Sequence, residues 1–219
     1  MGNLRVLLLG LMALSALAYN YGRKSGVLLH ITSLPGKYGI GVLGKEAKEF
    51  VDFLATSNQK IWQVLPLGHT GFGNSPYMCY SAVAGNPLLI DFDQLLELNL
   101  LKPEDIPVYP KANYSEDYVN FDEVIKIKKT VLTIAYNNFN ALKPQPLTTD
   151  FEKFCDNNKG WLDDYALFLA IKDKFEGKQW TSWDEDIKNR EPEAINKYKS
   201  QLAQAISYNQ FIQFIFFRQ

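Results

Sequence analysis

Gly26-Val-Leu-Leu-His-Ile31, Lys45-Glu-Ala-Lys-Glu-Phe-Val-Asp-Phe-Leu-Ala-Thr-Ser57 and Ile61-Trp-Gln-Val-Leu-Pro-Leu67 are consecutive segments with different periods. The first and third are short apolar-rich runs. Ser33-Leu-Pro-Gly36 follows one, and Pro66 with Gly68 ends the other, so both predict buried strands. Between them Ala47, Phe50, Val51 and Leu54 recur at helical spacing. Gly44 precedes this segment and Asn58 follows it, which predicts an amphipathic helix over Lys45–Ser57. Strand, helix, strand in this order is one parallel βαβ unit with a right-handed crossover.

Working outward, residues 68–87 form a loop rich in Gly, Ser, Asn and Pro. Its length exceeds the usual connection in compact domains, and long loops of this kind are disproportionately functional. In a barrel, the loop after a strand lies on the face where active sites are built. Leu88–Leu101 continues with Leu-Leu-Ile-Asp-Phe and a helical stretch. The prolines of 102–118 predict irregular chain. Helices are expected over Val119–Asn140, Thr149–Asp156, Trp161–Phe175 and Ala194–Phe217, punctuated at Lys143–Pro146 and around Gly177. Two parallel strands do not close an eight-stranded barrel. Together with the uncapped apolar run Phe211–Gln219, this reads as a chain that stops inside a larger fold.

The 219 residues carry 47% hydrophobic and 21% charged side chains and a net charge of −1. That composition supports a core and lacks the basic stripe of a nucleic-acid binder. The bias is aromatic, with 14 Phe, 12 Tyr and 4 Trp. Most aromatics fill cores, although an exposed ring can stack on a sugar. Cys79 and Cys155 make no framework; a single bridge between them is left open. No Cys-x-x-Cys or Cys/His cluster has metal-ligand spacing, and His30 and His69 are far apart in sequence. Neither a metal nor any other cofactor is expected.

Residues 1–18 read as a separate leader. Arg5 precedes the apolar Val6–Leu14, and Ser15-Ala-Leu-Ala18 ends in the Ala-x-Ala pattern of signal cleavage. The apolar run is shorter than the ~20 residues of a membrane span. Cleavage after Ala18 would leave residues 19–219 on the secretory route or in a secretory-derived organelle, without stable membrane insertion. The alternatives are a signal anchor, or a cytoplasmic or plastid protein with a mis-assigned start. Val6 stands where N-myristoylation after Gly2 wants Ser or Thr. Asn113-Tyr-Ser115 is a glycosylation sequon.

Several blocks, in order, resemble the 4-α-glucanotransferase (amylomaltase or disproportionating enzyme) family. Arg23-Lys-Ser-Gly-Val-Leu-Leu-His30, Thr32-Ser-Leu-Pro-Gly36 and Tyr38-Gly-Ile-Gly41 are similar to that family's opening. So are Trp62-Gln-Val-Leu-Pro-Leu-Gly68, Gly71-Phe-Gly-Asn-Ser-Pro-Tyr77 and Ser81-Ala-Val-Ala-Gly-Asn-Pro87. Further along come Trp161-Leu-Asp-Asp-Tyr-Ala-Leu-Phe168, Trp180 with Trp183, and Phe214-Ile-Phe-Phe-Arg-Gln219. The likeness covers roughly Arg23–Gln219. It implies an α/β fold, the N-terminal portion of a (β/α)8 TIM-type barrel, with a largely helical insertion at about 102–200.

The resemblance implies transfer of α-1,4-glucan segments between maltooligosaccharides or longer glucans. Such retaining chemistry uses a nucleophilic carboxylate and an acid/base carboxyl ~5–5.5 Å apart. In the family both lie beyond the position matching Gln219, so no catalytic residue is assigned in this chain. Asp91 and Asp93 are better read as helix-start acids, with Asp93 as cap. Asp163 and Asp164 read as first-turn acids complementing a helix dipole.

What carries over is sugar binding. Tyr77 matches a family tyrosine beside the sugar at the cleavage point, with Ser75 contributing a hydroxyl and Pro76 stiffening the approach. Phe72 matches an aromatic position that holds glucan outside that point. Asn86 is first a turn residue and second a ligand contact. Gly71, Gly73 and Gly85 are expected to serve backbone shape, and Trp62 and His69 to be structural. The competing readings are a non-catalytic glucan binder and a non-functional truncated product.

Overall fold

The computed structural model describes residues 22–107 and 117–219. The leader and the Asn113 sequon lie outside the described residues.

Strand β1 (Gly26–Leu28) runs parallel to β2 (Ile61–Gln63), pairing Gly26 with Ile61, Val27 with Trp62 and Leu28 with Gln63. Helix α1 (Lys45–Thr56) connects them. The βαβ unit is therefore present, but its strands are shorter than expected and are not buried. Leu28 is 58% and Ile61 49% exposed. The physical reason is the size of the sheet: a parallel strand is buried only when both faces are covered, and two strands with one helix offer one cover. On that covered side Phe50 of α1 meets Trp62 edge-on at 4.9 Å. The Trp62 indole N–H donates to the Leu29 carbonyl at 2.8 Å, which makes it the structural residue expected. Past Leu28 the apolar run turns into a 3-10 helix at Ile31–Ser33. Val51 and Phe53 on α1 stay largely exposed, so the helical period overstated its buried face.

The remainder is helical: α2 (Phe92–Glu97), α3 (Phe121–Leu142), α4 (Leu147–Lys174), α5 (Glu185–Lys188), α6 (Pro192–Gln201) and α7 (Ala203–Arg218). The acids at α2 exchange their expected roles. Asp91 is the extended residue before the helix, and its Oδ1 accepts from the Asp93 N–H at 3.1 Å. Asp93 sits within the first turn, where it accepts the Tyr38 hydroxyl and pairs with the Lys37 amine, both at 2.6 Å. Burial opposes the Asp93 charge, but those two donors outweigh it and hold the carboxyl below its ordinary range.

Two boundaries differ from expectation. Thr149–Asp156 and Trp161–Phe175 belong to the single helix α4, which runs through Gly160. A mid-helix glycine costs about 1 kcal/mol, and the apolar residues flanking Gly160 on α4 offset it: Phe154 meets Phe214 and Trp161 meets Phe217, both on α7. Asp163 and Asp164 consequently lie mid-helix and not in a first turn. They bind Gln210 at 3.1 Å and Arg190 at 2.8 Å. Conversely, the run expected as one helix over Ala194–Phe217 breaks at Leu202 (φ −111°, ψ 18°), where the Leu202 side chain packs against the Tyr198 cluster.

The main core joins α2, α3 and α7 through Phe92, Leu95, Leu132, Phe139, Phe211 and Phe214. Phe139 and Phe211 meet in a tilted contact at 4.9 Å, and each fully buried ring is worth about 1.5–3 kcal/mol. A second cluster gathers Leu167 and Ile171 of α4 with Trp183, Ile187 and Tyr198. No described helix is long and apolar enough to cross a membrane. The long loop therefore projects from a short sheet onto a helical bed built by α3, α4 and α7.

Candidate functional site

Residues 68–87 fold as nested antiparallel pairings instead of an open loop. Gly68 bridges Gly85 and Thr70 bridges Cys79. The Gly71 N–H donates to Met78 O at 2.7 Å and the Tyr80 N–H to His69 O at 3.0 Å. At the tip Phe72–Asn74 makes one 3-10 turn, in which Gly73 (φ 68°) and Asn74 (φ 54°) take left-handed backbone. Gly and Asn are the residues that tolerate it.

The tip points its aromatics to solvent: Phe72 is 85% and Tyr77 73% exposed, with Met78 and Val83 beside them in sequence also exposed. Ser75 Oγ accepts the Tyr77 N–H at 3.3 Å, which shapes the Ser-Pro-Tyr turn and leaves the hydroxyl hydrogen for another partner. Asn86 lies elsewhere. It is buried, its Oδ1 accepts the Leu88 N–H at 3.0 Å, and it faces inward instead of joining Phe72 and Tyr77. Its turn role is what the structure shows. Cys79 and Cys155 are free thiols. The Cys79 Sγ donates to Pro76 O at 3.0 Å, and burial raises the Cys155 thiol to about 11.

Beneath the loop a clamp ties it to the helices. Gln213 of α7 is fully buried; its Oε1 accepts the Gly85 N–H at 2.8 Å and its Nε2 donates to Gly85 O at 3.0 Å. Those two bonds orient the amide, so the remaining amide hydrogen donates to the Tyr165 hydroxyl at 3.3 Å. The Tyr165 hydroxyl also shares a hydrogen bond with His69 Nδ1 at 2.6 Å, which carries the clamp on to the loop. Gly85 is required here, because an added Cβ would lie 2.1 Å from the Phe216 ring.

Between this clamp, α3 and α4 lies a cavity of about 360 Å³, bordered by His69, Tyr80, Lys128, Tyr165, Lys172 and Asn209 among others. Burial lowers His69 to about 4, against a smaller opposing influence of Asp173. The unfolded imidazole takes a proton near pH 6.5 and the folded one refuses it until about pH 4. Stability therefore falls as pH falls through that window, by about 3 kcal/mol from this group. His69→Gln should flatten that part of the acid arm in urea titrations run at pH 4.5 and 7. An unchanged pH slope would count against the assignment.

Sequence reasoning located Phe72, Ser75 and Tyr77 on one loop but missed Gln213 and Tyr165 beneath it. The available signal was Gln213 itself, a lone amide within the apolar run Phe211–Phe217.

Residues 29–219 match the family described as 4-alpha-glucanotransferase. The 4-alpha-glucanotransferase of Synechocystis sp. is 47% identical over 90% of this chain and 39% of its own length. That of Clostridium butyricum is 47% identical over 87% and 38%. Among solved structures, amylomaltase from Streptococcus agalactiae in complex with acarbose superposes with a TM-score of 0.83 at 41% identity, covering 90% of this chain and 39% of that one. Amylomaltase from Corynebacterium glutamicum, 17% identical with a TM-score of 0.66, shares the fold. The chain thus spans less than two fifths of the length of these relatives.

Proposed function

The chain belongs to the 4-α-glucanotransferase family, and on that premise we propose that residues 22–219 form the sugar-gripping opening portion of a (β/α)8 barrel that transfers α-1,4-glucan segments. The observation that carries this is the loop tip: Phe72 and Tyr77 stand exposed on a turn whose base is held rigid by the Gln213 clamp. Exposed aromatics cost solvation unless something covers them. The apolar face of a pyranose covers a ring, and the tyrosine hydroxyl then reaches its polar rim. Ser75 adds a hydrogen-bonding hydroxyl beside it. Holding the loop from below means that little ordering entropy is lost when sugar binds.

On this reading the bond-breaking step is a retaining double displacement. Its nucleophile and acid/base carboxyl belong to the part of the relatives' length that this chain does not span. Three carboxylates among the described residues have other work: Asp91 caps α2, Asp93 holds Lys37 and Tyr38, and Asp164 holds Arg190. Tyr77 and Phe72 would orient the glucan for that chemistry without touching the proton transfers.

Calorimetric titration of the chain with maltoheptaose tests the proposal. Tyr77→Ala should weaken binding about tenfold, and Phe72→Ala by less, because Phe stacks without a hydroxyl. Equal affinity of wild type and Tyr77→Ala would overturn the assigned contact.

A further inference from the structure

A second concavity lies on the helical region, away from the loop in sequence and built by different elements. Its volume is about 310 Å³, near the lower bound of small-molecule sites, ~300–1,000 Å³. Phe168 and Ile187 line it with Trp183. Trp183 is 8% exposed, stacks on Phe175 at 5.8 Å and donates its indole N–H to Lys178 O, so it belongs to the core. Trp180, three residues earlier on the Trp180–Ser182 turn, is different: it borders the cavity and is 54% exposed. Asp164 and Arg190, paired at 2.8 Å, also border it. Arg190 is presented there by its left-handed backbone (φ 59°), which turns the chain back after α5.

We propose that this concavity is a second glucan-binding site, at which Trp180 stacks on a glucosyl ring and the Arg190–Asp164 pair holds its hydroxyls. The inference rests on the glucan reading of the family but not on Tyr77. The occupant follows from the chemistry of the walls. An apolar peptide anchor seated against Trp180 would desolvate the charged pair without replacing its water hydrogen bonds. A sugar offers a C–H face to the indole and adjacent hydroxyls that both donate and accept, matching a planar guanidinium beside a carboxylate. A site of this kind would hold a long glucan to the protein while its chain end occupies the loop site, raising the effective concentration of that end. Only maltooligosaccharides long enough to reach both places gain from it.

Affinity electrophoresis of the chain through amylose-containing gels, with calorimetry on maltoheptaose, tests the inference. Trp180→Ala should weaken amylose retention about three- to tenfold, and Trp180→Phe should restore most of it. Arg190→Ala should weaken it independently. Both side chains are exposed, so melting temperatures should stay at the wild-type value; were Trp180→Ala misfolded, Arg190→Ala alone decides. Tyr77→Ala should keep a Trp180-dependent retention, and the double variant should lose both. Retention of Trp180→Ala and Arg190→Ala equal to wild type overturns the second site while leaving the Tyr77 site standing. Retention indifferent to Tyr77 but sensitive to Trp180 overturns the loop assignment instead. No retention of the wild type overturns both.

Discussion

Replacing Gln213 by leucine is expected to lower the unfolding free energy by about 2–6 kcal/mol. Leucine is close in volume, so little cavity is made. What is lost is the pair of hydrogen bonds to Gly85, whose N–H and C=O are both buried. Each of these would stay buried without a partner, at about 1–3 kcal/mol apiece. The Tyr165 hydroxyl also loses a donor. Urea denaturation should show a lower midpoint with an unchanged slope, because the surface exposed on unfolding is the same. Gln213→Glu keeps the acceptor for Gly85 N–H and, while protonated, an O–H donor for Gly85 O, so it should not exceed the leucine loss on the acid side of neutrality. A leucine loss below about 1 kcal/mol would mean that the loop relaxes and finds water. The same variant should also loosen Tyr77 and so weaken maltoheptaose binding, linking the buried clamp to the exposed ring.

The second large effect lies at Lys128, which is 2% exposed with its amine donating to Ile90 O and lying 4.1 Å from the Phe92 ring centre. Burial brings this amine down to about 7 from 10.5, against the opposing pull of Asp91. Between those values the unfolded chain holds a proton that the folded chain has released. Stability therefore rises as pH rises above 7. The gain should reach about 2–3 kcal/mol by pH 9. Beyond pH 9 buried acids reverse the trend: Cys155, Tyr38 and Tyr165 are all raised by burial, so the unfolded state ionises first. Lys128→Met should remove the rise between pH 7 and 9 whatever its stability at neutral pH. The measurement is a set of urea midpoints at half-unit pH steps for both proteins. Parallel curves would show that the amine stays protonated inside the fold.

The elements that were legible are those governed by neighbours in sequence. Helix α1 was readable to within a residue, because Ala47 and Leu54 share a face and Gly44 and Asn58 bound it. The parallel pairing of β1 with β2 followed from the crossover rule. On the candidate site, the turn at Ser75-Pro76-Tyr77 and the left-handed Gly73 are equally local, since a proline fixes its own φ and a glycine admits a positive one. Helix α4 joins two expected helices through Gly160, whose unfavourable local propensity is overridden by packing of its flanks on α7. Leu202 shows the reverse: a continuous helical period broken where a side chain is taken into a neighbouring cluster. The swap between Asp91 and Asp93 is the finest such case, decided by Lys37 and Tyr38 claiming one of two adjacent acids.

By itself the sequence determined the order of elements, the position of the long loop and the family, because periodicity, turn residues and motif spacing are all short-range properties. Only the tertiary structure decided which polar groups are inside and what they do there. Gly85 and Gln213 stand 128 positions apart, and Ile90 and Lys128 stand 38 apart. The apolar run around Gln213 marks it as an oddity, but nothing local to any of these residues names the distant group it meets. A glutamine or lysine enters a core only when the partner that satisfies it arrives with another element. The exposure of Phe72 and Tyr77 was decided in the same way: they remain outside because the clamp below fixes which face of their loop is turned in.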